Sequence, residues 1–182
     1  MNTDLVKKTA IDGLFVLEHP MYPDNRGFFR EVFRMNELTP ALGFEFKPVQ
    51  WNHSLSLPGV IRAIHAENWN KLVYPVTGKM FAAIADIRPD SPTFARVETF
   101  AFDDSGRYAL FISKGLANSI CAVEGEVNYI YLVDAYYDGK DVRAIAWNDP
   151  DLAIKWPIKN PIISDRDKAN PKLRELFPEK FA

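Results

Sequence analysis

The feature that most constrains this chain is a run of short β-prone segments separated by turn chemistry. Leu72 to Val76 ends at Thr77-Gly78, and Met80 to Ile87 ends at Arg88-Pro89-Asp90-Ser91-Pro92. Ala95 to Phe102 ends at Asp103-Asp104-Ser105-Gly106, and Tyr108 to Ile112 at Ser113-Lys114-Gly115. Val127 to Val133 follows, with Tyr129, Tyr131 and Val133 alternating against Ile130 and Leu132. Such runs bounded by Gly, Pro, Asp and Ser read as strands and turns. Their spacing points to an all-β sandwich or barrel. Upstream, Ile11 to Glu18 and Phe28 to Phe33 read as two strands flanking the Pro23-Asp24-Asn25 turn, and Phe46 to Ser54 reads as extended. Met35 to Leu42, limited by Pro40 and Gly43, and Lys172 to Phe177 are short helix candidates. With 182 residues and no repeat, low-complexity tract or linker, one domain spanning residues 1–182 is expected.

Composition narrows the function classes. Hydrophobic residues at 47% argue against disorder. A net charge of -2 without a dense basic run argues against a nucleic-acid partner. An anionic small molecule needs only a few placed cations and remains open. The single cysteine, Cys121, excludes an intramolecular disulfide and reads as a small buried hydrophobe. The first residues lack the apolar core of a signal peptide, and no run approaches the roughly 20 apolar residues of a membrane span. A cytoplasmic protein without a membrane partner is expected.

The chemistry concentrates between Gly59 and Gly78, where Arg62, His65 and Lys71 sit among strand signals. Catalytic groups are best held on such rigid elements. By itself His65 fits three roles: a histidine satisfied by a backbone carbonyl, a metal ligand, or a general base. Gly59, five residues, His65 and the closing Gly78 resemble the metal motif of double-stranded β-helix (cupin) proteins in outline. Glu67 occupies the place of that motif's second histidine, and Lys71 that of its glutamate. An ammonium has no lone pair for a metal, so the ligand set is short and no metal is expected. His19, before Pro20, is expected at the surface. His53 is expected to pack or lie near a bound nucleotide, and Trp69 to line the pocket or pack at its rim.

A longer resemblance covers residues 13 to 167. Arg62-Ala-Ile-His65 and Lys71-Leu-Val resemble motifs of the dTDP-4-dehydrorhamnose 3,5-epimerase family. So do Asp24-x-Arg26-Gly27-x-Phe29-x-Glu31, Gln50-x-Asn52-His53-Ser54, Asp86-Ile-Arg88 and Ser91-Pro-Thr-Phe94. Tyr131, Tyr136-Tyr137, Trp147 to Leu152, Ile154-x-Trp156-Pro157 and Ser164-x-x-Asp167 continue it in family order.

The resemblance implies a jelly-roll (cupin-like) sandwich with short peripheral helices. It also implies a homodimer acting without metal or other cofactor on a nucleoside-diphosphate 4-keto-6-deoxy sugar. A proton beside a ketone leaves readily only if the enolate is stabilised, so the reaction needs a base, an acid on the opposite face and a cation near the oxygen. By the resemblance, His65 is the base, Asp167 its carboxylate partner, Tyr131 the acid and Lys71 the cation. Arg62 implies a diphosphate contact, and Gln50, Asn52 and Tyr137 imply contacts in the nucleotide-sugar site. Arg26, Phe29 and Glu31 imply an N-terminal arm that enters the partner subunit's site. Arg166 stands where the family often has lysine.

Three departures fall around the sugar and phosphate. Asn118 replaces the family's second pocket histidine. Ala82 replaces an aspartate, which is expected to leave Lys71 without its usual carboxylate. Ala63-Ile-His-Ala-Glu67 replaces Gly-Leu-His-Tyr-Gln, which is expected to narrow the pocket at Ala63 and add an acid at Glu67. The expected activity is inversion of C-3, C-5 or both in surface-polysaccharide or natural-product deoxysugar synthesis. The alternatives are 3,4-ketoisomerisation of a related sugar nucleotide and a non-catalytic cupin that binds one.

Overall fold

A computed structural model of the chain describes residues 5–104, 106–139 and 143–181. One six-stranded sheet has the order β1 (Val6–Lys8), β2 (Leu14–Leu17), β10 (Ala109–Ile112), β7 (Lys71–Pro75), β12 (Val127–Val133), β5 (Gln50–Ser56). A five-stranded sheet has the order β13 (Arg143–Ala144), β6 (Ile61–Ala66), β11 (Leu116–Glu124), β8 (Lys79–Asp86), β9 (Val97–Phe102). Within both sheets every neighbouring pair is antiparallel. A separate hairpin joins β3 (Met21–Asp24) to β4 (Gly27–Arg30).

Apolar side chains from both sheets meet in a central core that includes Leu14, Val73, Met80, Ile84, Leu110, Ile120 and Val127. This facing pair of antiparallel sheets is the jelly-roll sandwich expected from the sequence. The outer face of the six-stranded sheet carries Phe15, Leu72 and Phe111, covered by Leu38 of α1 (Met35–Leu42) and by Phe46. The outer face of the five-stranded sheet carries Ile61, Ala63, Ala85, Ala117 and Cys121 beneath the C-terminal segment. That segment contributes Leu152, Ile163, Phe177 and Leu173 of α3 (Leu173–Leu176).

Several sequence expectations shift. The segment Phe28 to Phe33 is strand only through Arg30, where it pairs with Met21–Asp24 as a hairpin. Pro40 lies inside α1 without ending it; Gly43, at φ +78°, caps the helix through its N–H to Thr39 O. Strand β11 escaped the sequence reading because Leu116 to Val123 lacks alternation. Apart from Asn118, which lines the cleft, it is largely buried on both faces between β6 and β8, so most of its side chains are small or apolar. The four-residue α2 (Asp165–Lys168) was also unforeseen; Ser164 caps it by accepting from Asp167 N. His19 is buried, not at the surface, with Nε2 3.3 Å from Glu37 Oε2 on α1. Ala63 does not narrow a pocket, since it is fully buried in the outer cluster beneath the C-terminal segment. Among the described residues, no helix is long and apolar enough to cross a membrane.

Candidate active site

Antiparallel register puts the candidate residues on two facing walls. On β12, Tyr129, Tyr131 and Val133 share one face, and Val133 lies opposite Lys71 at the start of β7. Ser54, Asn52 and Gln50 of β5 lie opposite the same three residues of β12. The intervening Trp51, His53 and Leu55 are exposed. On the other sheet, His65 of β6 lies opposite Asn118 of β11, so their side chains leave the same face.

Between the walls lies a cleft of about 610 Å³. His65, Asp167, Arg166, Arg62, Asn118, Lys71, Tyr131 and Tyr137 line it, together with Ser54, Glu67, Trp69, Tyr129 and the Ile162–Ser164 stretch. Eight of the thirteen residues singled out from the sequence therefore converge. A second cleft of about 480 Å³ lies on the other side of Glu67, beside Arg88 and Arg143, and holds none of the thirteen.

Five do not line the cleft. Arg26 is exposed and paired with Asp24 at 2.6 Å; Phe29 is 64% exposed; Glu31 pairs with Arg34. Gln50 and Asn52 stand behind the lining. Gln50 donates to Asn52 Oδ1 at 2.8 Å and accepts from Tyr137 N at 3.2 Å, tying β5 to the loop that carries Tyr137. Among the described residues, Asn52 Nδ2 and Trp69 Nε1 are buried donors that meet no acceptor. Trp69 meets the Tyr137 ring edge-on at 6.2 Å. His53 is exposed and bonds Asn128 Oδ1 across the strand pair.

The chemistry centres on His65. Its Nε2 lies 2.9 Å from Asp167 Oδ1. Arg166 Nη2 also lies 3.3 Å from Nε2, and Arg166 Nε donates to Asp167 Oδ1 at 3.2 Å. The carboxylate is the nearer partner and can only accept, so Nε2 carries the proton. The lone pair is then left on Nδ1. Burial acts to raise the Asp167 carboxyl. The hydrogen bond and charge of His65, with the Arg166 guanidinium, outweigh it and hold Asp167 below its ordinary value.

Across the cleft, burial first, then Tyr129 and Glu67, push the Tyr131 phenol up to about 12 against the opposing charge of Arg62. Tyr131 therefore stays a proton donor at neutral pH. Lys71 Nζ lies 5.0 Å from the Tyr131 ring centroid and donates to Glu67 Oε1 at 2.7 Å. The expectation that Lys71 lacks a carboxylate is thus corrected: Ala82 is buried in the core, and Glu67 supplies the charge from the β6–β7 connection. Arg62 donates to Ser56 Oγ and Leu55 O, which fixes its guanidinium at the cleft. Among the described residues, no group of three His, Cys, Asp or Glu side chains is placed to hold a metal.

A model of the dTDP-4-dehydrorhamnose 3,5-epimerase family matches residues 8–175. The chain belongs to this family. It is 34% identical over 166 residues to the dTDP-4-dehydrorhamnose 3,5-epimerase of Shigella flexneri, covering 89% of this chain and 92% of that one. Among solved epimerase structures it resembles NovW, a 4-keto-6-deoxy sugar epimerase from the novobiocin gene cluster of Streptomyces spheroides. The TM-score is 0.92 at 30% identity, covering 96% of this chain and 90% of NovW. It also resembles ChmJ, a 3'-monoepimerase from Streptomyces bikiniensis solved with dTDP-quinovose, with a TM-score of 0.87 at 29% identity over 95% of this chain and 89% of ChmJ. Proteins similar to this chain thus include a 3,5-epimerase and a 3'-monoepimerase.

Proposed function

We propose that the protein inverts C-3, C-5 or both of a nucleoside-diphosphate 4-keto-6-deoxy sugar through an enolate. The observation that carries this is the opposition of a His65–Asp167 pair on one wall of the cleft to Tyr131 and Lys71 on the other. In this reading His65 Nδ1 removes the proton beside the ketone. The adjacent Asp167 carboxylate stabilises the imidazolium that forms. The Lys71 ammonium faces the developing enolate oxygen, where a fixed cation lowers the barrier most. Tyr131 returns a proton to the opposite face. Arg62 and Arg166 supply positive charge for the diphosphate, where a guanidinium fits oxygens bidentately. A place in surface-polysaccharide or natural-product deoxysugar synthesis, and a cytoplasmic location, go with this substrate.

We further read the enzyme as a homodimer in which the β3–β4 hairpin completes the partner's site. Arg26, Phe29 and Glu31 lie outside their own cleft, and Tyr22, Phe28 and Phe29 are 58%, 61% and 64% exposed on the hairpin. Trp51, 69% exposed on edge strand β5, adds apolar surface of the kind an interface covers.

Proton NMR in heavy water with dTDP-4-keto-6-deoxyglucose tests the activity. Loss of both the 3- and 5-proton signals indicates a 3,5-epimerase, and loss of one indicates a single-centre enzyme. No exchange with the dTDP-, GDP- or CDP-linked sugars sinks the reading. Carbonyl migration in the carbon spectrum would replace it with a 3,4-ketoisomerase.

A further inference from the structure

Glu67 is a charged residue of this cleft to which the resemblance gives no role. It stands one residue beyond the end of β6, two positions after His65, and lines the same cleft. Its two carboxylate oxygens are separately engaged. Oε1 accepts from Lys71 Nζ at 2.7 Å, and Oε2 accepts from Asn118 Nδ2 at 3.0 Å. The same Asn118 amide also donates to His65 O at 3.0 Å. Glu67 therefore joins the strand that carries His65, the strand opposite it, and the first residue of β7 on the facing sheet. The Glu67 and Lys71 side chains are 15% and 8% exposed, so their attraction is little screened by water.

We propose that Glu67 is a positioning residue for proton transfer, holding the Lys71 ammonium against the Tyr131 wall with Asn118 as its anchor. This rests on the epimerase reading above. Three features set it apart from simple neutralisation of a buried lysine. Lys71 ends a flexible four-carbon stem, and among the described residues Glu67 is the only carboxylate paired with it. The carboxylate is itself fixed from the other side by Asn118, which gives the ammonium a defined location and not merely a counter-charge. The lysine so held sits over the ring of Tyr131, 5.0 Å from its centroid. The negative charge of Glu67 also contributes, after burial and Tyr129, to keeping Tyr131 protonated. Asn118 and Glu67 form one unit: a neutral amide donates to the carboxylate without competing with Lys71 for its charge.

The test compares wild type with Glu67→Gln, Glu67→Asp and Asn118→Ala by deuterium incorporation into dTDP-4-keto-6-deoxyglucose. dTDP affinity by calorimetry and thermal melting accompany each variant. Glu67→Gln keeps the size of the side chain and removes its charge. The expected result is a fall in kcat of at least about tenfold, with KM and dTDP affinity within about threefold. The alkaline limb of the pH profile moves to lower pH. Glu67→Asp recovers part of kcat, and Asn118→Ala lowers kcat in the same direction by less. A Glu67→Gln enzyme with wild-type kcat and an unmoved pH profile overturns the proposal. So does a loss of kcat that merely follows a loss of melting temperature across all three variants. Failure of the wild type to exchange any nucleotide-linked 4-keto sugar would instead overturn the epimerase reading, and this inference with it.

Discussion

His65 and Asp167, 102 residues apart in the chain, meet at 2.9 Å because α2 lays the buried carboxylate beside β6. The pair decides which imidazole nitrogen is free to act. His65→Asn should lower the rate of deuterium exchange by about 10³-fold, in the range of a lost general base. Asp167→Asn should lower it by about 10²-fold or more, since an amide no longer enforces the tautomer. The Asp167 carboxyl is held below its unfolded value, so its stabilising contribution is complete above that value. The contribution fades as pH falls through the folded value. Melting curves recorded between neutral and acidic pH should show wild type losing an increment that Asp167→Asn lacks.

Tyr131→Phe separates the two half-reactions. The base wall is untouched, so proton removal and return on the same face should continue, and substrate should exchange deuterium. Net inversion should fall by about 10² to 10³-fold because the opposite face has lost its donor. Exchange and epimer ratio read from the same NMR time course check this. Equal loss of both would mean that Tyr131 does not act as a separate acid.

Asp86 carries stability, away from the cleft. It is fully buried and accepts from Arg88 Nε and Nη2 at 2.8 and 2.7 Å, from Ser91 Oγ at 2.5 Å and from Thr93 Oγ1 at 2.7 Å. Burial acts to raise this carboxyl, but these four donors and the Arg88 backbone N–H at 3.1 Å outweigh it and hold it at about 2. Against the ordinary 3.8, this contributes on the order of 2 kcal/mol above pH 4, lost as pH falls toward 2. Asp86→Ala leaves buried donors and a guanidinium unpaired and should cost about 3 kcal/mol in urea unfolding at pH 7.

Gly78 turns β7 into β8 at φ +75°, and a Cβ there would lie 2.6 Å from the Glu126 carbonyl oxygen. Both the backbone conformation and the contact oppose any side chain. Gly78→Ala should destabilise the fold by about 2 kcal/mol. Because Val127 and β12 adjoin the contact, kcat should fall as well.

The sequence determined the class of fold and most of the cleft. Alternation along Val127 to Val133 placed Tyr129 and Tyr131 on one face, and the turn residues marked where strands reverse. Period-two patterning is local, so it can be read without knowing what lies opposite. The candidate helix at Met35–Leu42 was legible for the same reason. Strand β11 was not, because burial on both faces erases the period that would announce it.

Only the tertiary structure decided the partners. Ala82 in place of an acidic residue implied a lysine without a counter-charge. The short β6–β7 connection instead brings Glu67, four residues before Lys71, across from one sheet to the other. The burial of His19 against Glu37 and of Ala63 beneath the C-terminal segment likewise depends on which element covers which face. Whether a residue ends in the cleft, in the core or outside both is set by pairing register and layer packing. These join residues distant in the chain, and no local pattern encodes them.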